Sequence, residues 1–314
     1  MGREDGHIVL TGGAGLVGQN LVIRLLERGC QRITVIDKSA PNLAILKRLH
    51  PVVEAICCTL QRPGEWQRAI ATADVLVMLH AQIGGVHRED FVANNIDATR
   101  NVLESLAGNS GCYLVHVSSS VVNSKADDWY SSTKRQQEAL VLQAGNPLCV
   151  LRPTLMFGWF DRKHFGWLSR FMRRSPVFPI PGDGNYLRQP LYAGDFCNLI
   201  VACIEQRISS RCFDISGKQK VAYRELIGAI RTVIGSRTLL LRIPVPLFRL
   251  LLRVYALFDR DPPFTASQLD ALVIDEVFDD TDWETDFGVH ATPLDEALRA
   301  TFADPVYSAI RLQF

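Results

Sequence analysis

The first half of the chain alternates short apolar segments with segments of helical periodicity, and no other feature constrains the fold as strongly. Apolar runs rich in β-branched residues lie at residues 7–11, 33–36, 52–57, 74–79, 113–117 and 148–151. Between them, apolar residues spaced three and four apart indicate helices, most clearly at residues 16–28, 90–106 and 129–144. Because the strands have no polar face, they predict a parallel sheet covered by helices on both sides. We therefore expect an α/β protein with a doubly wound parallel sheet.

A glycine cluster follows the first predicted strand and leads directly into the first predicted helix. Gly12 permits a tight turn, Gly15 lets a ligand approach the backbone, and Gly18 lets the helix pack close to the sheet. Free N–H groups at the start of a helix bind phosphate oxygens. A pyrophosphate is therefore predicted to contact Gly12, Gly15, Leu16, Val17 and Gly18, and a structural turn without a ligand is the alternative.

The second predicted strand ends at Asp37, at the position where dinucleotide-binding chains carry an acidic residue. Its carboxylate can accept hydrogen bonds from the adenosine ribose hydroxyls, which favours NAD as the cofactor. The adjacent Lys38 can instead meet a 2′-phosphate, so NADP is the alternative cofactor.

Tyr130 and Lys134 stand four residues apart and so share one face of a predicted helix. A free phenol has a pKa of about 10, and a nearby ammonium stabilises its anion, so that Tyr130 can take a proton from an alcohol. Ser118, Ser119 and Ser120 end the fifth predicted strand, at the edge where such sheets bind their ligands. A hydroxyl group there can polarise a substrate oxygen.

The glycine loop, the acidic residue, the serines and the tyrosine–lysine pair, in this order, resemble the extended branch of the short-chain dehydrogenase/reductase superfamily. Within it, they are similar to the NAD-dependent epimerase/dehydratase family that includes UDP-galactose 4-epimerase. The resemblance implies a Rossmann domain in which Ser120 is the catalytic hydroxyl, Tyr130 the acid/base and Lys134 a group that tunes Tyr130. Tyr130 and Lys134 are also expected to contact the cofactor. Further cofactor contacts are expected from Ala81, Asn95, Ser118 and Pro153, and substrate contacts from Ser119 and Ser120.

Residues 152–158 (RPTLMFG) resemble the family's crossing from the Rossmann domain into a smaller α+β substrate domain. We expect an NAD(P)-binding domain at residues 1–155 and a mainly substrate-binding domain at 156–314, with segments around 190–216 returning to the sheet. Arg188 lies seven residues before Asp195, the spacing at which sugar-nucleotide members place an arginine on the substrate diphosphate. A surface salt bridge is the alternative for Arg188, and Asp195 also fits a helix N-cap.

The chain departs from the family pattern in three places. Ser120 and Tyr130 are only ten residues apart, which predicts a trimmed wall of the substrate pocket. Val121 and Val122 follow the serines where sugar-nucleotide 4,6-dehydratases carry an Asp-Glu pair, and valine cannot move protons, so dehydration is disfavoured. Cys58-Thr59-Leu60 replaces the usual Gly-Asp-Leu near the adenine, which puts one adenine contact in doubt.

Charge and cysteine content exclude two classes of partner. Lys+Arg number 34 and Asp+Glu 33, a net charge of +1, so no nucleic-acid partner is expected. The eight cysteines have no Cys-x-x-Cys spacing and no neighbouring histidine cluster. We therefore expect buried thiols in a reducing compartment, no metal site and a cytoplasmic location.

The most apolar segment spans residues 243–258, is too short to cross a bilayer and contains Arg249 and Arg253. We expect it to form a helix packed in the substrate domain or a contact of a homodimer, which the family resemblance also implies. A helix lying on a membrane surface, as a peripheral contact, is the alternative.

These observations predict an NAD-dependent epimerase or oxidoreductase that moves a hydride at C4 of a nucleotide-diphosphate sugar. The short spacing before Tyr130 and the apolar segment favour a different enzyme on the same scaffold, a ketone reductase for a lipid, steroid-like or polyketide substrate. A non-catalytic subunit that retains a nucleotide is the third hypothesis, and the intact serine, tyrosine and lysine set argues against it.

Overall fold

The computed structural model describes residues 6–255, 269–270, 272–279 and 282–313. Strands and helices alternate through its first half. They are β1 (Ile8–Thr11), α1 (Leu16–Glu27), β2 (Ile33–Asp37), α2 (Ala40–Leu49), β3 (Glu54–Cys57), α3 (Trp66–Ala71), β4 (Val75–Met78), α4 (Arg88–Phe91), a π-helix (Val92–Asp97), α5 (Ala98–Leu106), β5 (Tyr113–Val117), a 3-10 helix (Ser120–Asn123), α6 (Trp129–Leu142) and β6 (Leu148–Pro153).

Shorter strands and further helices follow in the second half. They are β7 (Met156–Phe157), α7 (Phe165–Arg174), β8 (Val177–Pro181), β9 (Leu187–Arg188), β10 (Leu191–Tyr192), α8 (Ala193–Gln206), β11 (Arg211–Ile215), β12 (Val221–Ala222), α9 (Tyr223–Val233), β13 (Leu239–Ile243), α10 (Val245–Tyr255), α11 (Trp283–Phe287) and α12 (Leu294–Ala303).

Within the described residues, seven strands form one sheet in the order β11-β6-β5-β4-β1-β2-β3. Every neighbouring pair is parallel, and Leu10 of β1 lies in register with Val35 of β2 and Val77 of β4. The strand order reverses between β1 and β4, which creates a crevice at the carboxyl edge of the sheet. The predicted α/β class with a doubly wound parallel sheet is confirmed.

Alternate residues of each central strand enter separate cores on the two faces of the sheet. Leu10 and Val77 pack on one face with residues of α1 and α8, including Leu21 and Phe196. Val9, Leu76 and Leu114 pack on the other with side chains of α3 and α5, including Trp66 and Val102. Because side chains alternate along a strand, burial on both faces requires continuous apolar runs, and this explains the sequence pattern.

The helix expected at residues 90–106 is interrupted. The chain forms a short α4, then the π-helix Val92–Asp97, and returns to α-geometry in α5. A π-turn inserts extra backbone into a helix, and such insertions are frequent at functional sites. Here it carries the buried Asn95 toward the end of β4.

The second half adds a third core. Phe157, Phe178, Tyr223, Ile227 and Leu298 pack together between α7, α9 and α12. In the part of the chain that the structure describes, three two-stranded pairs accompany this core: β10 with β7, β12 with β9, and β13 with β8. The strand β11 instead joins the edge of the main sheet, where Phe213 lies in register with Leu151 of β6.

The cysteines are less uniformly buried than the sequence suggests. Four of them are fully buried, namely Cys112, Cys149, Cys197 and Cys203, but Cys57 and Cys212 are exposed. The expectation of buried thiols is therefore wrong for these two, because Cys57 ends β3 and Cys212 lies on β11, the two edge strands of the sheet. The described part of the chain holds no group of three His, Cys, Asp or Glu side chains that could bind a metal ion.

Most of the apolar segment predicted at residues 243–258 forms the end of β13 and helix α10, and residues 256–258 lie outside the described residues. None of the helices in the described ranges has both the length and the apolar character that a bilayer crossing requires.

Candidate active site

The glycine loop closes tightly between β1 and α1. Gly12 has a φ of +69°, and a Cβ at this position would lie 2.5 Å from the Cα of His80. A Cβ on Gly18 would lie 2.2 Å from the Gly13 carbonyl oxygen. Both glycines are therefore required by the packing of the loop against neighbouring backbone, with or without a ligand.

Gly15 differs, because the space beside it is open. The nearest atom to a Cβ added there would be the Gly12 carbonyl oxygen at 3.5 Å, an ordinary contact distance. Gly15 is also the N-cap of α1, and no side chain caps the helix. The first-turn N–H groups of Leu16 and Val17 therefore have no side-chain cap, and the free donors and the helix dipole at such a helix start favour the charge of a diphosphate.

Asp37 lies at the end of β2 and ties the loop to the sheet. Its Oδ2 accepts a hydrogen bond from the Ala14 N–H at 3.0 Å, and its Oδ1 accepts one from the Ser39 N–H at 2.9 Å. Each carboxylate oxygen has a further lone pair, so both can still accept from ribose hydroxyls. The neighbouring Lys38 donates to Asn94 Oδ1 at 2.9 Å and is exposed.

Asn95 fixes the backbone that follows β4. Its Oδ1 accepts from the Gln82 N–H at 2.6 Å, and its Nδ2 donates to the Gln82 carbonyl at 3.2 Å and to Thr133 Oγ1 at 3.0 Å. The side chain is fully buried. Asn95 thus joins the segment at Ala81 and Gln82 to α6, which carries the tyrosine and lysine.

The three serines at the end of β5 have different surroundings. Ser118 and Ser119 are buried, and Ser120 is half-buried at the start of the 3-10 helix. The Ser119 hydroxyl accepts from the Val121 N–H at 3.4 Å and interacts with the phenol of Tyr130. The structure therefore brings Ser119 to Tyr130, although the family resemblance assigns the catalytic hydroxyl to Ser120.

Tyr130 lies in the first turn of α6, whose N-cap Asp128 accepts from the Ser131 N–H at 2.7 Å. Burial raises the pKa of the phenol, the nearby Asp128 adds to that rise, and hydrogen bonding with Ser119 opposes it. Without a ligand, the phenol is thus held in its neutral, proton-carrying form at neutral pH.

Lys134 lies one turn further along α6 and is almost completely buried. Its Nζ donates to the Val117 carbonyl at 3.1 Å and to Gln137 Oε1 at 2.6 Å. Burial lowers the pKa of the ammonium to about 7, and the nearby Glu138 carboxylate limits the fall. Lys134 thus exchanges its proton near neutral pH, close to the carboxyl end of β5.

A buried polar chain beneath the site was not predicted from the sequence. Gln137 Nε2 donates to Thr99 Oγ1 at 3.0 Å, and Thr99 lies 3.0 Å from Nε2 of His80, whose Nδ1 lies 2.7 Å from Thr11 Oγ1. Burial and the positive charge of Lys134 lower the pKa of His80 to about 3, so its ring is neutral. His80 is therefore a packed, hydrogen-bonded histidine.

A largely buried ion pair supports the same region and was also missed. Arg152 Nη2 and Nε donate to the two carboxylate oxygens of Glu138 at 2.5 and 3.0 Å. Burial works to raise the pKa of Glu138, but Arg152 and the Ser118 hydroxyl outweigh it and hold that pKa below its usual range. The pair joins α6 to the end of β6, directly before the buried Pro153 that is expected to contact the cofactor, and so stabilises both elements of the site.

Arg188 lies on β9, in the second half of the chain. Its guanidinium donates to the carbonyls of Leu187, Leu272 and Ile274, and it stacks over the Tyr186 ring at 5.0 Å. It is 8% exposed. In this conformation the guanidinium N–H groups that were predicted to bind a diphosphate instead bind backbone carbonyls of the segment after α10. The ion pair of Arg188 with Glu276 is longer, at 3.9 Å, and is only a small part of the environment of Arg188.

Asp195 lies in the first turn of α8 but binds a different element. Its Oδ1 and Oδ2 accept from the hydroxyl and the N–H of Thr292 at 2.5 and 2.9 Å. Tyr192, rather than Asp195, is the N-cap of α8. The expectation of an Asp195 N-cap is therefore wrong, because this carboxylate instead binds Thr292, just before the start of α12.

The NAD dependent epimerase/dehydratase family model matches residues 8–215, which is more than half of the chain. Among curated proteins, the low-salt glycan biosynthesis protein Agl12 of Haloferax volcanii is 24% identical over 260 residues, covering 73% of this chain and 82% of that protein. A 3 beta-hydroxysteroid dehydrogenase/Delta 5→4-isomerase of Mycobacterium tuberculosis is 25% identical over 220 residues, covering 60% and 59%.

Among solved structures, UDP-glucuronic acid 4-epimerase from Bacillus cereus in complex with NAD has a TM-score of 0.74 and 20% identity. The match covers 94% of this chain and 96% of that one, and it shows a shared fold. The family predicted from the glycine loop and the tyrosine–lysine pair is confirmed by the family model. The chain belongs to the NAD dependent epimerase/dehydratase family.

Proposed function

We propose that the protein is an NAD-dependent epimerase or oxidoreductase that acts at C4 of a nucleotide-diphosphate sugar. The observation that carries the proposal is the cluster of Ser119, Tyr130 and Lys134 at the carboxyl edge of the sheet, beside an uncapped helix N-terminus that fits a diphosphate. Bound NAD would accept or return the hydride at the reacting carbon.

The residues of this chain would handle the proton and the substrate oxygen. Ser119 would hydrogen-bond the oxygen and polarise it, while Tyr130 takes the hydroxyl proton in one direction and returns it in the other. The ammonium of Lys134, close to the site and titrating near pH 7, would stabilise the phenolate that forms. The roles of Ser118 and Ser120 are then structural or confined to binding.

Gly15, Leu16 and Val17 would hold the diphosphate of the cofactor, and Asp37 would hold its ribose. A carboxylate repels a 2′-phosphate, so NAD is favoured over NADP. The exposed Lys38 donates a hydrogen bond to Asn94, so Asp37 rather than Lys38 would contact the adenosine ribose. Ala81 and Asn95 would line the same cofactor groove from the end of β4.

The substrate class rests on Arg188 and on the family. In the proposed complex Arg188 releases the carbonyls of Leu272 and Ile274 and forms charge-assisted bonds with the substrate diphosphate. The name of the Bacillus cereus structure, a UDP-glucuronic acid 4-epimerase, agrees with this class of substrate. Val121 and Val122 supply no acid or base for water loss, so dehydration stays disfavoured.

A screen of UDP- and GDP-sugars tests the proposal, with C4 epimers detected by proton NMR and oxidised products by mass spectrometry. Arg188→Ala should weaken the binding of an active sugar nucleotide about tenfold or more, whereas Arg174→Ala, an exposed control on α7, should not. Conversion of no sugar nucleotide, or equal binding by both variants, would contradict the proposed substrate class.

A second candidate is a ketone reductase for a lipid or steroid-like substrate. The specific observation in its favour is the engagement of Arg188 with backbone carbonyls, since an uncharged substrate does not require those donors. The similarity to a 3 beta-hydroxysteroid dehydrogenase/isomerase agrees with it. Turnover of ketosteroids that is insensitive to Arg188→Ala would favour this candidate over the first.

A further inference from the structure

Helix α10 is apolar on two opposite faces. Val245, Phe248 and Leu252 turn toward the protein and are half-buried. On the other side, Leu247, Leu250, Leu251 and Val254 follow the spacing i, i+3, i+4, i+7 and are between 45% and 57% exposed. This spacing forms one continuous stripe along a helix. The stripe contains none of the polar residues that a solvent-facing helix normally presents.

The strand just before α10 also exposes leucines. Leu239 is 68% exposed and Leu241 is 53% exposed, and their spacing of two places both on one face of β13. Together with the stripe on α10, they form what we call the leucine surface. Six large apolar side chains exposed within sixteen residues exceed the scattered exposure that is normal for a protein surface.

The charged side chains on β13 and α10, which carry the leucine surface, are all basic. Residues 237–258 contain four arginines and no aspartate or glutamate. Arg249 is paired with Asp270 at 2.5 Å. The other three, Arg237, Arg242 and Arg253, are exposed and form no ion pair within the described ranges. Arg173 and Arg174 at the end of α7 are exposed as well, and the following Pro176 accepts a hydrogen bond from the Leu239 N–H at 2.8 Å.

We propose that the leucine surface docks this protein onto the surface of a bilayer that contains anionic lipids. Helix α10 lies parallel to the membrane, its leucine stripe inserts at the boundary between headgroups and acyl chains, and the exposed arginines contact lipid phosphates. An apolar stripe with flanking arginines is the pattern by which interfacial helices bind anionic membranes. Each basic side chain near such a surface adds to the attraction.

The charge pattern favours a membrane over a second copy of the chain. In a two-fold symmetric dimer through this surface, each patch would meet itself, and the arginines of the two copies would face one another. Like charges brought together across an interface oppose association. A lipid surface supplies the complementary phosphates that a second copy lacks. The proposal is independent of the reaction that the enzyme catalyses.

Co-sedimentation with vesicles tests the proposal. The full-length protein is mixed with phosphatidylcholine vesicles and with vesicles that also contain phosphatidylglycerol, in low and high salt. We expect binding to the anionic vesicles, reduced by salt, and little binding to the neutral ones. Absence of binding to the anionic vesicles would overturn the proposal.

Three variants locate the binding surface. The triple variant Leu247→Ser, Leu250→Ser, Leu251→Ser should reduce vesicle binding about tenfold or more, and Arg242→Gln with Arg253→Gln should reduce it and its salt dependence. Leu142→Ser, a 52% exposed leucine on α6, is the matched control and should bind like the wild type. Thermal unfolding checks that each variant folds, since all the changes are on exposed side chains.

Two results would overturn the assignment of the surface. One is a folded triple variant that binds anionic vesicles as well as the wild type does. The other is a concentration-dependent dimer of the wild type, measured by analytical ultracentrifugation, that the triple variant dissociates. That second result would assign the leucine surface to a contact between two copies of the chain.

Discussion

The Ser119 hydroxyl lies close enough to the phenol of Tyr130 to lower its pKa, and it stands one residue before the serine to which the family resemblance assigns the chemistry. Ser119 is also the N-cap of the 3-10 helix Ser120–Asn123, so Ser119 keeps extended backbone geometry while Ser120 begins the turn. If the reacting oxygen of the substrate lies between Ser119 and Tyr130, it is polarised by Ser119 and not by Ser120.

Ser119→Ala should therefore reduce kcat about 100-fold or more, the loss expected when one hydrogen-bond donor to a reacting oxygen is removed. Ser120→Ala is the matched variant and should keep kcat within about threefold, because Ser119, and not Ser120, is the serine that shifts the pKa of the phenol. Steady-state kinetics of both variants on the same substrate decide the question. A larger loss for Ser120→Ala would restore the family assignment.

The two glycines of the loop should respond differently to alanine. Gly15→Ala leaves the apo protein folded, because the added Cβ has room, but it should weaken NAD binding by occupying the space for the diphosphate. Gly18→Ala places its Cβ 2.2 Å from the Gly13 carbonyl and should lower the free energy of unfolding by about 1–3 kcal/mol.

Calorimetry of NAD binding and urea unfolding of both variants test this pair of outcomes. Gly228→Ala, in the interior of α9 with nothing within contact distance of its Cβ, is the control. It should raise the free energy of unfolding by about 0.5–1 kcal/mol and leave NAD binding unchanged. A Gly15→Ala protein that binds NAD normally would contradict the proposed diphosphate site.

Asn95→Asp should weaken cofactor binding through the backbone at Gln82. The carboxylate can still accept from the Gln82 N–H, but it cannot donate to the Gln82 carbonyl or to Thr133. The loss of buried hydrogen bonds should lower the free energy of unfolding by about 1–3 kcal/mol. Thermal unfolding and NAD titration measure the two effects, and an unchanged NAD affinity would separate Asn95 from the cofactor groove.

Lys134 should make stability depend on pH in a predictable direction. Its pKa is about 7 in the folded protein and about 10.4 when unfolded, so between these values the unfolded chain holds more protons. Stability therefore rises with pH across this window, by up to about 1.4 kcal/mol per unit, and the cost of burying the charge is fully present below pH 7.

Lys134→Met removes this contribution, so the unfolding free energy of the wild type should increase relative to the variant between pH 7 and 9. Urea unfolding of both apo proteins at several pH values gives the difference between their unfolding free energies, in which the contributions of titrating groups common to both proteins cancel. A difference that stays constant across the window would show that Lys134 does not titrate there.

Much of the fold and part of the site could be predicted from the sequence. The strands were predictable because burial on both faces of a parallel sheet leaves continuous apolar runs, and the glycine loop because only glycine tolerates the contacts at Gly12 and Gly18. The pair Tyr130 and Lys134 followed from helical spacing.

Three features were not predictable, each for a physical reason. The π-helix around Asn95 changes helical register within an otherwise periodic segment, and a period of 3.6 does not reveal that change. The position of Ser119 depends on where β5 ends, which sequence locates only to within a few residues. Two of the carbonyls that Arg188 contacts, those of Leu272 and Ile274, lie more than eighty residues away along the chain, beyond any local pattern.

Hydride transfer in Tyr130→Phe is the most direct test of the proposed active site. With NAD bound and an active substrate present, the wild type should convert the substrate, with product formation followed by proton NMR, because the nicotinamide accepts the hydride and, in an epimerisation, returns it. Tyr130→Phe should still bind NAD but turn over at least about 100-fold more slowly, since the group that moves the proton is gone. Equal turnover by the two proteins would contradict the proposed role of Tyr130 and the active site built around it.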